Sequence, residues 1–260
     1  MNDPKLPQYR TLLTVDIEDY SSRTDAEQRV LQSALMTALD RAADAAELSR
    51  EQWVKQLGGD GLMALLPPTC DVRHLLDVLV RRFDAEIGLY NRLREQPTWS
   101  RIRIRLAVHA GPVHVDGPSG WPGQHAVLPA RLRDSDPVRA ALAARPAADL
   151  AVIVSAQVYD DYVTQGPGNP RPSEFRAVHV KAKKQEYTAY LYLPGLDVHG
   201  ITELVRYDVA EPQRPDGASP ASLEPRASEP VGGISAGRDV FKEVNNQVSG
   251  GGSVTMGGGR

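Results

Sequence analysis

The chain has 260 residues, 41% hydrophobic and 24% charged, which is ordinary for a soluble globular protein with one substantial domain and an appendage, or two small domains. Its formal net charge of −3 offers no bulk attraction to a polyanion. Cys70 is the single cysteine, which excludes an intrachain disulfide and a thiolate zinc cluster. No apolar run nears the roughly 18 residues of a membrane span, and the N-terminus lacks a signal-peptide core. The expectation is a cytoplasmic protein with no nucleic-acid and no membrane partner.

Arg10 to Ile17 is a continuous apolar run ending in a carboxylate, the pattern of a buried central strand. Thr24-Asp25-Ala26-Glu27 is a capping box, and the helix it opens carries Leu31, Leu35, Ala38, Ala42 and Ala45 on one face. Trp53 to Leu57 and Leu62 to Leu66 flank Gly58-Gly59-Asp60-Gly61 as a hairpin, stopped by Pro67-Pro68. Val72, Leu75, Leu76, Leu79, Phe83 and Ile87 fall at helical spacing. Ile102, Ile104, Leu106 and Val108 alternate with Arg101, Arg103 and Arg105, which predicts a half-buried strand with a solvated arginine face. Val152 to Val154 is a short buried strand, followed by a helix capped by Ser155 and a strand pair near Glu174–Lys181 and Tyr187–Leu193. The fold class is α+β, a ferredoxin-like β-α-β-β-α-β core with added C-terminal strands. Glu211 to Pro230, with five prolines, reads as a disordered linker, and residues 231–260, with nine glycines, as a tail.

Asp16 closes the first strand, and Asp60 sits at the tip of the hairpin expected beside it. Each alone is a strand-end or turn residue. Together, two carboxylates converging at one sheet edge suit Mg²⁺ or Mn²⁺, which binds through one or two carboxylates plus substrate phosphates. Among the six histidines there is no HExxH and no paired metal spacing, and His109 reads as a packed, hydrogen-bonded side chain. The strands lack the aromatic pattern of RNA-binding sheets.

The segments around these aspartates resemble class III adenylate/guanylate cyclase catalytic domains. Asp16-Ile17-Glu18-Asp19-Tyr20-Ser21 resembles the family's first metal motif, and Gly59-Asp60-Gly61-Leu62-Met63-Ala64 its second-metal hairpin. Arg105 to Val113 is similar to the strand ending in His-Thr-Gly, Gly123 through Ala130-Arg131-Leu132 to the Gly…Asn-x-Ala-Ala-Arg-Leu motif, and Val180 to Lys184 to the Val-Lys-Gly-Lys-Gly turn. The five motifs stand in family order over about 185 residues. The resemblance implies a cyclase domain over 8–195, then a short extension at 196–210, the Pro-rich linker at 211–230 and the Gly-rich tail at 231–260. It implies metal positions at Asp16, Ile17 and Asp60 for two Mg²⁺ or Mn²⁺ ions per site. It also implies Arg131 as the residue stabilising transition-state charge, Lys181 and Lys183 as phosphate holders, and a homodimer acting on a nucleoside triphosphate. Gly58-Gly59-Asp60 is also similar to the diguanylate cyclase turn, but that motif needs an acidic residue where Gly61 stands.

The departures are specific. Gln56 stands where the family's adenine-reading lysine falls, with Lys55 one step away, Gly120 where its purine-edge partner falls, and Val127 where the ribose-orienting asparagine falls. Pro129 is expected to interrupt the helix carrying Arg131. Two functions remain open. One is a nucleotidyl cyclase with two metals and a base preference other than the usual adenine. The other is a catalytically degenerate cyclase-homology module that binds nucleotide or a partner and is recruited through its tail. Val240-Phe241, Asn245-Asn246-Gln247-Val248 and Val254-Thr255-Met256, set between glycines, loosely resemble bacterial amyloid signalling motifs that meet a partner protein. A disordered Gly-rich tail is the alternative.

Overall fold

The computed structural model describes residues 6–93, 98–117, 120–166 and 168–209. The linker and tail expected at 211–260 lie outside the described residues.

Strand β1 (Gln8–Ile17) sends alternate side chains to opposite faces of the sheet. Leu13, Val15 and Ile17 join the core beneath helix α1 (Asp25–Ala45), whereas Leu12 and Thr14 are buried on the other face, which Asp16 shares by alternation. The expected capping box starts α1: the Glu27 amide donates to Thr24 Oγ1 at 3.4 Å, and the Thr24 amide donates to Glu27 Oε2 at 2.8 Å. Such a cap stabilises a helix by about 1 kcal/mol. β2 (Val54–Leu57) and β3 (Gly61–Leu65) form the hairpin, and α2 (Val72–His74) continues through a π-turn at Leu75–Leu79 into α3 (Val80–Arg92). β4 (Ile104–Val113) returns antiparallel beside β1. The sheet order is β2-β3-β1-β4-β5-β7-β6, so β1 lies between the hairpin and β4 as the ferredoxin-like core requires.

A crossover on the opposite face joins β4 to the parallel β5 (Leu150–Ser155). It is made of α4 (Gln124–Arg133) and α5 (Asp136–Ala144), the latter not expected from the sequence. α4 runs unbroken through Pro129, which overturns the expected interruption. A mid-helix proline costs about 3 kcal/mol through its missing N–H; burial of Ala126, Leu128 and Leu132 on the sheet outweighs it.

After β5 come α6 (Ala156–Val158), capped by Ser155 Oγ, and the hairpin of β6 (Arg176–Ala182) and β7 (Gln185–Tyr192). Beyond β7, Val198, Ile201 and Leu204 are buried with α5 and β6. Arg176, 7% exposed, pairs with Asp208 at 2.7 Å and donates to the carbonyls of Val198, His199 and Ile201. The segment expected as a short extension from residue 196 is thus packed onto the sheet as far as Asp208. Among the described residues, no helix is long and apolar enough to cross a membrane.

Candidate active site

Asp16, 1% exposed, pairs across the sheet with Gly61 of β3 and Arg105 of β4. A Cβ at position 61 would stand 1.9 Å from the Val15 carbonyl oxygen, so only glycine lets the hairpin close on β1 here. The Gly58 amide donates to the Gly61 carbonyl at 2.9 Å, turning the chain so that Asp60 is at the tip. The Ile17 amide donates to the Asp60 carbonyl, also at 2.9 Å. Ile17 therefore ties strand to hairpin through its backbone, and its side chain is core.

The two carboxylates meet. Burial first, and then a hydrogen bond with Asp60, push the Asp16 carboxyl up to about 6, against the pull of Arg105 and Arg133. The Arg105 guanidinium is ion-paired with Asp16. Arg103 pairs with Glu18 at 2.9 Å and Arg101 with Asp149 at 3.1 Å. The expected solvated arginine face is therefore a row of ion pairs to neighbouring elements.

Arg131 is elsewhere. Its guanidinium donates to Gln185 Oε1 and to the Tyr187 hydroxyl at 2.7 Å, both on β7. Lys181 and Lys183 belong to the same hairpin. Lys181 is exposed and lies 3.5 Å from Glu186, and Lys183 turns the chain with φ of 57°. β7 and β6 are three and four strand positions from β1, roughly 14 and 19 Å at the usual spacing. Within one chain, Asp16, Ile17 and Asp60 come together at the end of β1, whereas Arg131 reaches Tyr187 on β7 and Lys181, paired across the hairpin with Glu186, lies on the sheet face opposite to Val180 and Tyr187.

Gln56 lies on the exposed edge strand β2, and its side chain reaches Gly120: a Cβ there would stand 2.8 Å from Gln56 Nε2. The two positions singled out for base reading are thus neighbours. Gly120 has φ of 123°, which penalises any side chain. Val127 is 42% exposed and offers no hydrogen-bonding group.

His109, 2% exposed, is indeed a packed histidine. Its ring is nearly coplanar with that of His125, the planes 5° and the centroids 5.1 Å apart, with Nε2 2.8 Å from His125 Nδ1. That is an edge-to-edge contact sharing one proton. Ser155 Oγ, 2.8 Å from His109 Nδ1, completes the chain. Burial, reinforced by His125, lowers the His109 pKa to about 4.

Sequence reasoning missed Arg105 and Arg133. Arg105 becomes visible only once the β1–β4 register sets it against Asp16. Arg133, two residues past the motif arginine, donates from Nη1 to Thr14 Oγ1 at 3.0 Å.

Among the described residues there is no group of three or more His, Cys, Asp or Glu side chains placed to hold a metal. The donor set at Asp16 and Asp60 fits a hard cation that completes its shell with phosphate oxygens.

No protein-family profile matches the chain, and no curated protein matches it. Solved structures do. A bacterial light-regulated adenylyl cyclase is 16% identical, with a TM-score of 0.50 over 80% of this chain and 55% of that one. The guanylyl cyclase Cya2 is 14% identical, with a TM-score of 0.49 over 78% and 98%. The adenylyl cyclase CyaB from P. aeruginosa is 16% identical, with a TM-score of 0.45 over 74% and 98%. The fold is that of cyclase catalytic domains.

Proposed function

We propose that the chain is a nucleotidyl-cyclase-like signalling protein that converts a nucleoside triphosphate into a 3′,5′-cyclic nucleotide and pyrophosphate. The observation that carries this reading is the placement of Asp16 and Asp60 at one end of β1, where Asp16 pairs with Gly61 and the Ile17 amide bonds the Asp60 carbonyl, within a cyclase fold. Asp16, Asp60 and the Ile17 backbone would hold two Mg²⁺ or Mn²⁺ ions. Bound there, the ions would supply activation of the attacking hydroxyl and neutralisation of the leaving pyrophosphate.

The separation of the acidic and basic groups supports a homodimeric site, with Asp16 and Asp60 from one copy and Arg131, Lys181 and Lys183 from the other. Arg131 would then stabilise charge developing on the phosphoryl oxygens, and the exposed lysines would hold the phosphates. Gln56, beside Gly120, would face the base in place of the usual lysine. An amide both donates and accepts, whereas a lysine only donates, so the preferred base differs from the usual adenine. Incubation of the purified protein with each of the four ribonucleoside triphosphates and Mn²⁺, followed by mass spectrometry, tests this. A cyclic product is expected with at least one, and none with any would remove the enzyme reading.

The degenerate-module reading is favoured by one observation: Val127, at the ribose-orienting position, is an exposed apolar side chain. That module would bind nucleotide without turnover. In either reading the tail would recruit the domain to a partner. A peptide spanning residues 233–257 is expected to form thioflavin-positive cross-β assemblies, and one that stays monomeric when seeded would remove that role.

A further inference from the structure

Arg133 ends α4 above the acidic end of β1. Its three guanidinium nitrogens are all engaged: Nε and Nη2 donate to the Asp134 carboxylate at 2.8 and 2.9 Å, and Nη1 to Thr14 Oγ1 at 3.0 Å. Thr14 is itself fixed, since its hydroxyl donates to the Leu62 carbonyl at 3.1 Å. Thr14 and Asp16 point from the same face of β1, two residues apart. The guanidinium is therefore held beside Asp16, and it interacts electrostatically with both Asp16 and Asp60. Burial works against its charge, but Asp134 and these two carboxylates more than offset that. From the opposite strand, Arg105 pairs directly with Asp16. Three carboxylates, Asp16, Asp60 and Asp134, thus share two guanidinium groups at this end of the sheet.

We propose that Arg133 is a built-in counter-cation for the Asp16–Asp60 pair and sets the affinity of this end of the sheet for a divalent cation. The inference rests on the reading of Asp16 and Asp60 as metal ligands. A divalent cation and a guanidinium compete for the same carboxylate charge, so each added positive charge at short range lowers metal affinity. Arg105 is ion-paired with Asp16 itself, whereas Arg133 is held beside it through Thr14 and Asp134, so its charge can be removed without breaking a direct ion pair to Asp16.

The test is titration of the whole chain with Mn²⁺ alone, following free Mn²⁺ by electron paramagnetic resonance, with folding checked by circular dichroism. Arg133→Gln should tighten Mn²⁺ binding about tenfold or more, and Arg133→Lys, which keeps the charge, should stay within about threefold of wild type. Arg133→Met, which keeps the apolar stem, provides a second neutral variant if Arg133→Gln does not fold. Unchanged or weaker binding in a folded neutral variant overturns the proposal, provided that Asp60→Ala abolishes binding. If Asp60→Ala binds Mn²⁺ like wild type, the metal-site reading itself falls.

Discussion

The two ends of the sheet that carry the candidate site are built in opposite ways. At the acidic end, Asp16 is buried and ion-paired with Arg105, on a strand enclosed by neighbours on both sides and tied to the Asp60 turn by the Ile17 amide. At the basic end, Lys181 and Lys183 are exposed on the last hairpin, and Arg131 is tethered to it through Gln185 and Tyr187. Asp16 is part of the folding core and already spends its charge internally, whereas Asp60 is exposed at the hairpin tip. The basic group keeps its lysines at the surface, Lys181 beside the exposed Glu186, and holds Arg131 on neutral partners. Substitution of Asp16 should therefore disturb fold and binding together, and substitutions at the second end binding alone.

The largest effect is expected where backbone meets backbone. Gly61→Ala places a methyl group 1.9 Å from the Val15 oxygen, so β3 must part from β1. Chemical denaturation should register a loss of about 3 kcal/mol or more, the range of severe steric and network defects.

Asp16→Ala and Asp60→Ala separate fold from binding. Both should abolish Mn²⁺-dependent nucleotide binding. Asp16→Ala also strands the largely buried Arg105 and should cost about 3 kcal/mol of stability, whereas Asp60 is exposed and its removal should change stability by less than about 0.5 kcal/mol. Equal losses in denaturation would contradict the asymmetry within the acidic pair.

Two buried groups act oppositely on acid stability. The Asp16 carboxyl, up to about 6 when folded against about 3.9 unfolded, takes up its proton more readily in the folded chain. Its contribution to stability grows as pH falls from about 6 toward 4. His109, down to about 4 when folded against about 6.5 unfolded, stays neutral while the unfolded chain is protonated. Its contribution is lost over pH 6.5 to 4. Relative to wild type, Asp16→Asn should lose stability on acidification between pH 6 and 4.5, and His109→Gln should gain it. Parallel curves in urea titrations at both pH values would mean that neither group is shifted.

A smaller effect concerns the base. Gln56→Lys lies on an exposed strand and should fold normally while moving nucleotide preference toward ATP. Gly120→Asp should cost about 1 kcal/mol or more, because φ of 123° suits glycine alone. Nucleotide competition assays on the single Gln56→Lys variant are the cleaner measurement, and an unmoved preference would shift attention to Lys55.

Alternation and spacing in the sequence carried β1, the capping box at Thr24, the hairpin and the meeting of Asp16 with Asp60, because each depends on residues near in sequence or on strand neighbours set by topology. What was hidden depends on register and tertiary packing. Arg105 reads as one of three solvated arginines until β4 sets it opposite Asp16. Pro129 reads as a break until its neighbours' burial is seen. Arg133 carries no motif, and only the docking of α4 brings it to Thr14.

The central claim, that the acidic and basic groups act together only across two copies, is tested by mixing variants. Asp60→Ala and Arg131→Ala should each be inactive alone in the Mn²⁺ cyclase assay. Combined in equal amounts and allowed to exchange subunits, they should regain about a quarter of wild-type activity, since half of the dimers would then hold one intact site. No recovery on mixing, with an active wild type and exchange verified, would contradict the account, as would full activity of Arg131→Ala alone.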